Sequence, residues 1–146
     1  MDKNDEKYMR LALTEANRAL ERGEVPIGAV IVTKGQVIGR GHNLVETLGD
    51  ATAHAEMQAI TAAAQSVGGK YLTDATLYVT VEPCAMCAGA IAWSQIRRVV
   101  FAAPDPKRGF RRYSSQILHP KCELIEGVLR EESERLMRDF FAKLRG

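Results

Sequence analysis

Thr76-Leu77-Tyr78-Val79-Thr80-Val81-Glu82-Pro83-Cys84-Ala85-Met86-Cys87-Ala88-Gly89-Ala90 changes its structural period at Pro83. Residues 76–81 are nearly all β-branched or aromatic, the composition of a strand. Proline then ends the extended run, and alanine and methionine carry a helix from Cys84 to about Ser94. Arg98-Val99-Val100-Phe101-Ala102 resumes strand composition directly afterwards. A strand, one helix and a second strand make a right-handed crossover, so these two strands are expected to be parallel.

Upstream, Gly28–Thr33 and Gln36–Gly41 read as strands joined by a Lys34-Gly35 turn, an antiparallel hairpin. Met9, Leu13, Ala16 and Leu20 recur at helical spacing, predicting an amphipathic helix over roughly Asp5 to Arg22, stopped by Gly23. Asn43 to about Thr52 reads as a polar loop, and His54–Gln65 as an alanine-rich helix stopped by Gly68-Gly69. Downstream, Pro104–Pro120 reads as a basic loop, Glu123-Leu124-Ile125 as a short strand, and Glu131–Leu144 as a terminal helix. The expectation is an α/β fold in which a mixed sheet of about five strands is flanked by helices. It forms one domain over residues 1–146.

Composition narrows the class. Of 146 residues, 46% are hydrophobic and 26% charged, which excludes disordered and collagen-like chains. With 20 basic against 18 acidic side chains, no overall polycation is available to hold nucleic acid non-specifically. Basic residues are nevertheless concentrated locally: Arg97, Arg98, Lys107, Arg108, Arg111 and Arg112 face one acid, Asp105. Phe110 and Tyr113 are interleaved with them, a pattern suited to phosphates and splayed bases, although most charge runs are only solvated faces. The longest nearly uninterrupted apolar run, Ala85–Trp93, is about half a membrane span. The charged first residues lack the apolar core of a secretory signal. A cytoplasmic protein without membrane partners is expected.

Three cysteines make a poor disulfide framework. Cys84 and Cys87 lie three apart at a helix start, where they can reach one ion and where helix-end amides favour thiolates. His54 opens the preceding helix and completes a His-Cys-Cys set, with Glu56 two residues on. Three protein ligands with an open position characterise catalytic zinc; structural zinc normally takes four. Taken alone, Cys84-x-x-Cys87 also fits a redox dithiol, or half of a zinc knuckle completed by His119 and Cys122.

Taken together, Thr52-Ala53-His54-Ala55-Glu56 and Glu82-Pro83-Cys84-Ala85-Met86-Cys87 resemble the signature of the zinc-dependent cytidine/deoxycytidylate deaminase superfamily. Glu24-Val25-Pro26-Ile27-Gly28-Ala29-Val30 and the Phe140-Phe141 helix extend the likeness to the bacterial tRNA adenosine-to-inosine deaminases. The resemblance implies a three-layer cytidine-deaminase-like fold, one Zn2+ per subunit on His54, Cys84 and Cys87, and Glu56 as general acid and base. It also implies substrate contacts from Asn43, the Ala55 backbone and Lys107, a homodimer, and a tRNA anticodon stem-loop as partner.

Several residues depart from that pattern. The family's Gly-Ala-x-Gly-Ser stretch is replaced by Arg108-Gly109-Phe110-Arg111-Arg112-Tyr113, and its Asn-His pair by Leu118-His119-Pro120. Trp93 is more similar to the free-base guanine deaminases. Three functions therefore stand: deamination of adenosine in RNA, deamination of a free base such as guanine or cytosine, and a catalytically silent, zinc-stabilised RNA-binding subunit. The first is the leading expectation. Met9, Met57 and Met137 read as core residues, and Ile91 as core or dimer contact. Ala85, Met86 and Trp93 read as core or dimer contact, and Cys122 as an inert thiol.

Overall fold

The computed structural model describes residues 3–145. Five strands form one sheet in the order β2-β1-β3-β4-β5: β1 (Gly28–Thr33), β2 (Gln36–His42), β3 (Thr76–Val81), β4 (Arg98–Ala103) and β5 (Glu123–Glu126). β1 pairs antiparallel with β2 and β3, while β3, β4 and β5 run parallel. The hairpin turn falls at Lys34 and Gly35, both with positive φ, as the twist of a two-residue turn demands.

Helices cover both faces, so the inner strands are apolar on both sides instead of alternating apolar with polar. One layer takes Ala29, Ile31, Leu77, Val79, Val99 and Phe101 from the sheet. These pack against Ala55, Ala59 and Ala63 of α3 (Ala55–Val67) and Ala88 and Ile91 of α4 (Ala85–Trp93). The other layer takes the intervening residues Val30, Val32, Tyr78, Val100 and Ala102 against Tyr8, Met9 and Ala12 of α1 (Lys3–Glu21). On that second face, Ser133 of α5 (Arg130–Arg145) donates to the Thr80 carbonyl. The architecture is the expected helix–sheet–helix sandwich with a mixed five-stranded sheet.

Alanine on the helices permits close approach to the sheet. A Cβ at Gly41 of β2 would stand 2.3 Å from the Ala55 carbonyl oxygen and 2.7 Å from the Ala59 nitrogen. The first turn of α3 thus rests directly on the end of β2.

The structure corrects some details. The expected polar loop contains a one-turn helix, α2 (Val45–Leu48), and the expected basic loop contains a 3-10 turn at Phe110–Arg112. Leu20, assigned to the buried face of α1, is partly exposed, and Ala12 and Ala19 are buried in its place. Met9 is in the core, whereas Met57 and Met137 are only half-buried. Trp93 is 84% exposed and Met86 37%, so on α4 only Ile91, of the four apolar residues in question, is core.

Candidate active site

The site lies at the carboxyl ends of the parallel strands, where α/β sheets place their clefts. β3 ends at Val81, and Glu82-Pro83 leads to Cys84, which sits in extended conformation immediately before α4. His54 occupies the equivalent position before α3. Neither side chain caps its own helix, so both are free to face each other.

His54 Nδ1 lies 3.6 Å from Cys84 Sγ and 3.6 Å from Cys87 Sγ. One donor atom from each of the three residues fits within a 4.8 Å span, the one such group among the described residues. One nitrogen and two sulfurs are donors suited to zinc. His119 and Cys122 belong to no such cluster; the Cys122 thiol is half-buried and pushed up by burial.

The electrostatics fit a cation. The Cys87 thiol, donating to Cys84 sulfur, holds Cys84 at about 4 against the opposing effect of burial, with His54 adding to the shift. Cys87, bonded to that thiolate and buried, is pushed well up. A metal ion bound between Cys84 and Cys87 would be held by both sulfurs as thiolates, with release of the thiol proton. His54 is raised, first by its bond to Cys84.

Glu56, in the first turn of α3, is 4% exposed. Burial pushes its carboxyl up to about 7, and the adjoining Cys84 thiolate pushes the same way. Both protonation states are then accessible near neutral pH, the requirement for a group that accepts and returns a proton.

The expected substrate contacts are placed as follows. Asn43 is 8% exposed, and its Oδ1 is buried without a hydrogen-bond partner among the described residues. A buried acceptor left unpaired by the fold is suited to a ligand donor. Ala55 is the first residue of α3, among amides that have no acceptor within the helix. The Lys107 side chain is exposed and makes no ion pair among the described residues. Its amide donates to Asp105 Oδ1 at 3.1 Å, which fixes the turn beneath it.

The basic cluster is smaller than its sequence suggests. Arg98 bonds Asp5 and Glu123, and Arg111 bonds Glu82 and Glu126, so neither is a free cation. Phe110 is 1% exposed and belongs to the core, leaving Tyr113 as the aromatic of that loop open to solvent. Glu24, an acid standing directly before the apolar run 25–32, is a further contributor that sequence reading did not single out. It is buried, and its carboxylate accepts from the Glu46 amide at 3.0 Å and from the Thr47 amide and hydroxyl at 2.6 Å each. Although burial acts to raise it, those donors hold its carboxyl below the usual range. Glu24 thereby pins the segment that follows Asn43.

Residues 2–103 match the family described as the cytidine and deoxycytidylate deaminase zinc-binding region. A tRNA-specific adenosine deaminase of Bacillus subtilis is 47% identical, over 97% of this chain and 91% of its own length. A solved structure from a study of A-to-I editing by tRNA:A34 deaminases at the wobble position superposes with a TM-score of 0.83. It is 44% identical and covers 89% of this chain and 98% of its own. The guanine deaminase structure from Bacillus subtilis is 40% identical but superposes less well, at 0.65, covering 71% of this chain and 66% of its own. The match over 2–103 takes in His54, Glu56, Cys84 and Cys87, so the cluster at the sheet's carboxyl edge and the sequence around it agree that this chain belongs to the cytidine and deoxycytidylate deaminase family.

Proposed function

We propose that this chain is a zinc-dependent hydrolase that converts adenosine to inosine in tRNA, acting on the wobble position of an anticodon stem-loop. The observation that carries the proposal is Glu56, a carboxylate buried beside three zinc-type donors. A zinc that only stabilised a fold has no use for such a group. The relatives that match end to end supply the adenosine and the tRNA.

His54, Cys84 and Cys87 would hold the zinc. When bound, it acidifies the water that serves as nucleophile. Glu56 would take one proton from the water as it adds to C6 of adenine and pass it to a ring nitrogen, then carry the second proton, from the hydroxyl now on C6, to the amine, which leaves as ammonia while the oxygen becomes the keto group. The sum is adenosine plus water giving inosine plus ammonia. Asn43, which has a donor and an acceptor, reads the purine edge, and the Ala55 amide donates to the base. Lys107 takes a backbone phosphate.

Residues 1–146 act as one deaminase domain. Met86 and Trp93 are exposed apolar residues seven positions apart on α4, the helix that carries Cys87 and follows Cys84. We assign them to contact with a second copy of this chain, so sedimentation should give twice the chain mass and a single chain mass refutes the pairing. Among the described residues no helix is long and apolar enough to cross a membrane. The cytoplasm suits a tRNA substrate and three free thiols.

Glu56→Ala tests the assignment against a silent RNA-binding subunit. The variant should fold and retain one zinc per subunit while ammonia release from the tRNA substrate falls about 10²–10⁴-fold. Ammonia release equal to that of the parent rejects the mechanism.

A further inference from the structure

The loop after β4 carries four cations within six residues, yet one of them is turned inward. Arg111 Nη2 donates to Glu82 Oε1 at 3.0 Å, and Nη1 pairs with Glu126 Oε2 at 2.5 Å. Its guanidinium carbon lies 4.9 Å from the centroid of the Phe101 ring. Three restraints on one planar fork fix it as a lysine ammonium cannot be fixed.

Its partner explains why. The Glu82 side chain is 3% exposed, and a carboxylate so placed needs donors. Besides the guanidinium it accepts from the amides of Asp105 at 3.1 Å and Arg111 at 3.2 Å. Each donor belongs to the loop, and Glu82 is two residues from Cys84. The loop is also stitched to that corner directly: the Phe110 amide donates to the Pro83 carbonyl at 2.8 Å, and Gly109 bridges Cys84. The approach leaves no room for a side chain, since a Cβ at Gly109 would stand 2.2 Å from Glu82 Oε2.

We infer that Arg111 is a positioning residue. Through Glu82 it locks the 105–112 loop onto the Pro83-Cys84 corner and leaves Lys107, Arg108 and Arg112 as the loop's cations for RNA phosphate. The inference rests on the reading of this loop as a tRNA contact. It also gives a role to the replacement of the family's small residues by Arg108-Gly109-Phe110-Arg111-Arg112-Tyr113: the added Arg111 anchors the loop while Arg108, Arg112 and Tyr113 are exposed.

The test uses zinc-loaded protein and an anticodon stem-loop substrate, with kcat and KM measured across a salt series and zinc loss followed under chelator. Arg112→Ala should reduce the slope of log KM on log salt by about 0.7–0.9. Arg111→Ala should leave that slope unchanged, lose zinc faster and lower kcat about 10- to 100-fold. Gly109→Ala removes no charge but disturbs the same contact, and should behave like Arg111→Ala; it also serves if that variant does not fold. Arg111→Lys should recover part of kcat. An Arg111→Ala that reduces the salt slope as Arg112→Ala does, with kcat and zinc retention intact, overturns the positioning role. If instead a triple Lys107→Ala, Arg108→Ala, Arg112→Ala variant leaves the slope untouched, the loop is no RNA contact and the reading beneath the inference fails. That outcome is separable, because kcat and zinc loss in Arg111→Ala are read independently of the slope.

Discussion

Asn43 and Glu24 are both buried polar residues, and the fold treats their oxygens differently. Glu24 is satisfied three times by its own chain, whereas the Asn43 Oδ1 has no partner among the described residues. An acceptor that contributes no bond to the folded state can be removed with little loss of stability, but under the proposed base contact its loss would be felt when substrate arrives. Asn43→Ala should therefore lower kcat/KM for the stem-loop by about 1–3 kcal/mol while the unfolding midpoint barely moves. Loss of stability with unchanged kcat/KM would mean that Asn43 supports the loop instead. At this scale the sequence was informative wherever residue type and spacing carry chemistry. His54, Cys84 and Cys87 could be named because a metal demands particular donors at particular intervals, and Glu56 because it stands two residues from His54. The pairing of Arg111 with Glu82 could not, because two residues 29 apart meet only once the sheet has formed.

Among the elements, strand and helix periods were readable because both sheet faces are covered, which leaves β1, β3 and β4 as apolar runs bounded by turns. What escaped were short, tertiary-determined pieces. α2 is one turn long and is held by Glu24 from outside, so its four residues carry no helical period of their own. The 3-10 turn at Phe110–Arg112 forms because Phe110 enters the core, and composition alone suggested an exposed basic loop. Close packing of α3 on β2 is likewise written in alanine and glycine, residues that signal little by themselves. Gly41→Ala should drive α3 from the sheet, with a loss of about 1–3 kcal/mol in denaturant unfolding. Because Ala55 and Glu56 ride on that turn, kcat should fall as well. Gly69→Ala, whose added Cβ meets nothing within 4 Å, is the control and should be neutral. Equal effects of the two variants would contradict the packing argument.

Across the whole molecule, the face opposite α3 and α4 is tied together by Asp5, Tyr78 and Arg98 from three distant segments. Asp5, 2% exposed, accepts from Arg98 Nη1 at 2.8 Å, Arg98 Nη2 at 2.7 Å and the Tyr78 hydroxyl at 2.7 Å. The Arg98 bonds hold its carboxyl below the ordinary 3.8, against burial. A carboxyl lowered in the folded state stabilises fully above its unfolded value, and that contribution disappears as pH falls through the folded one. Asp5→Asn should lose about 1–3 kcal/mol at neutral pH, with the gap to the parent closing below about pH 4. A gap that stayed constant into acid would show that the carboxylate charge is not what stabilises. Fold and function meet at the opposite end of this architecture, where β3 and β4 deliver the metal corner and the basic loop to the same edge. The most direct measurement is turnover by the zinc-loaded protein of an anticodon stem-loop with adenosine at the wobble position, set beside free guanine, cytosine and adenosine. Inosine formation in the stem-loop, with the free compounds left unchanged, is the predicted result; turnover of a free base but not of the stem-loop would contradict it.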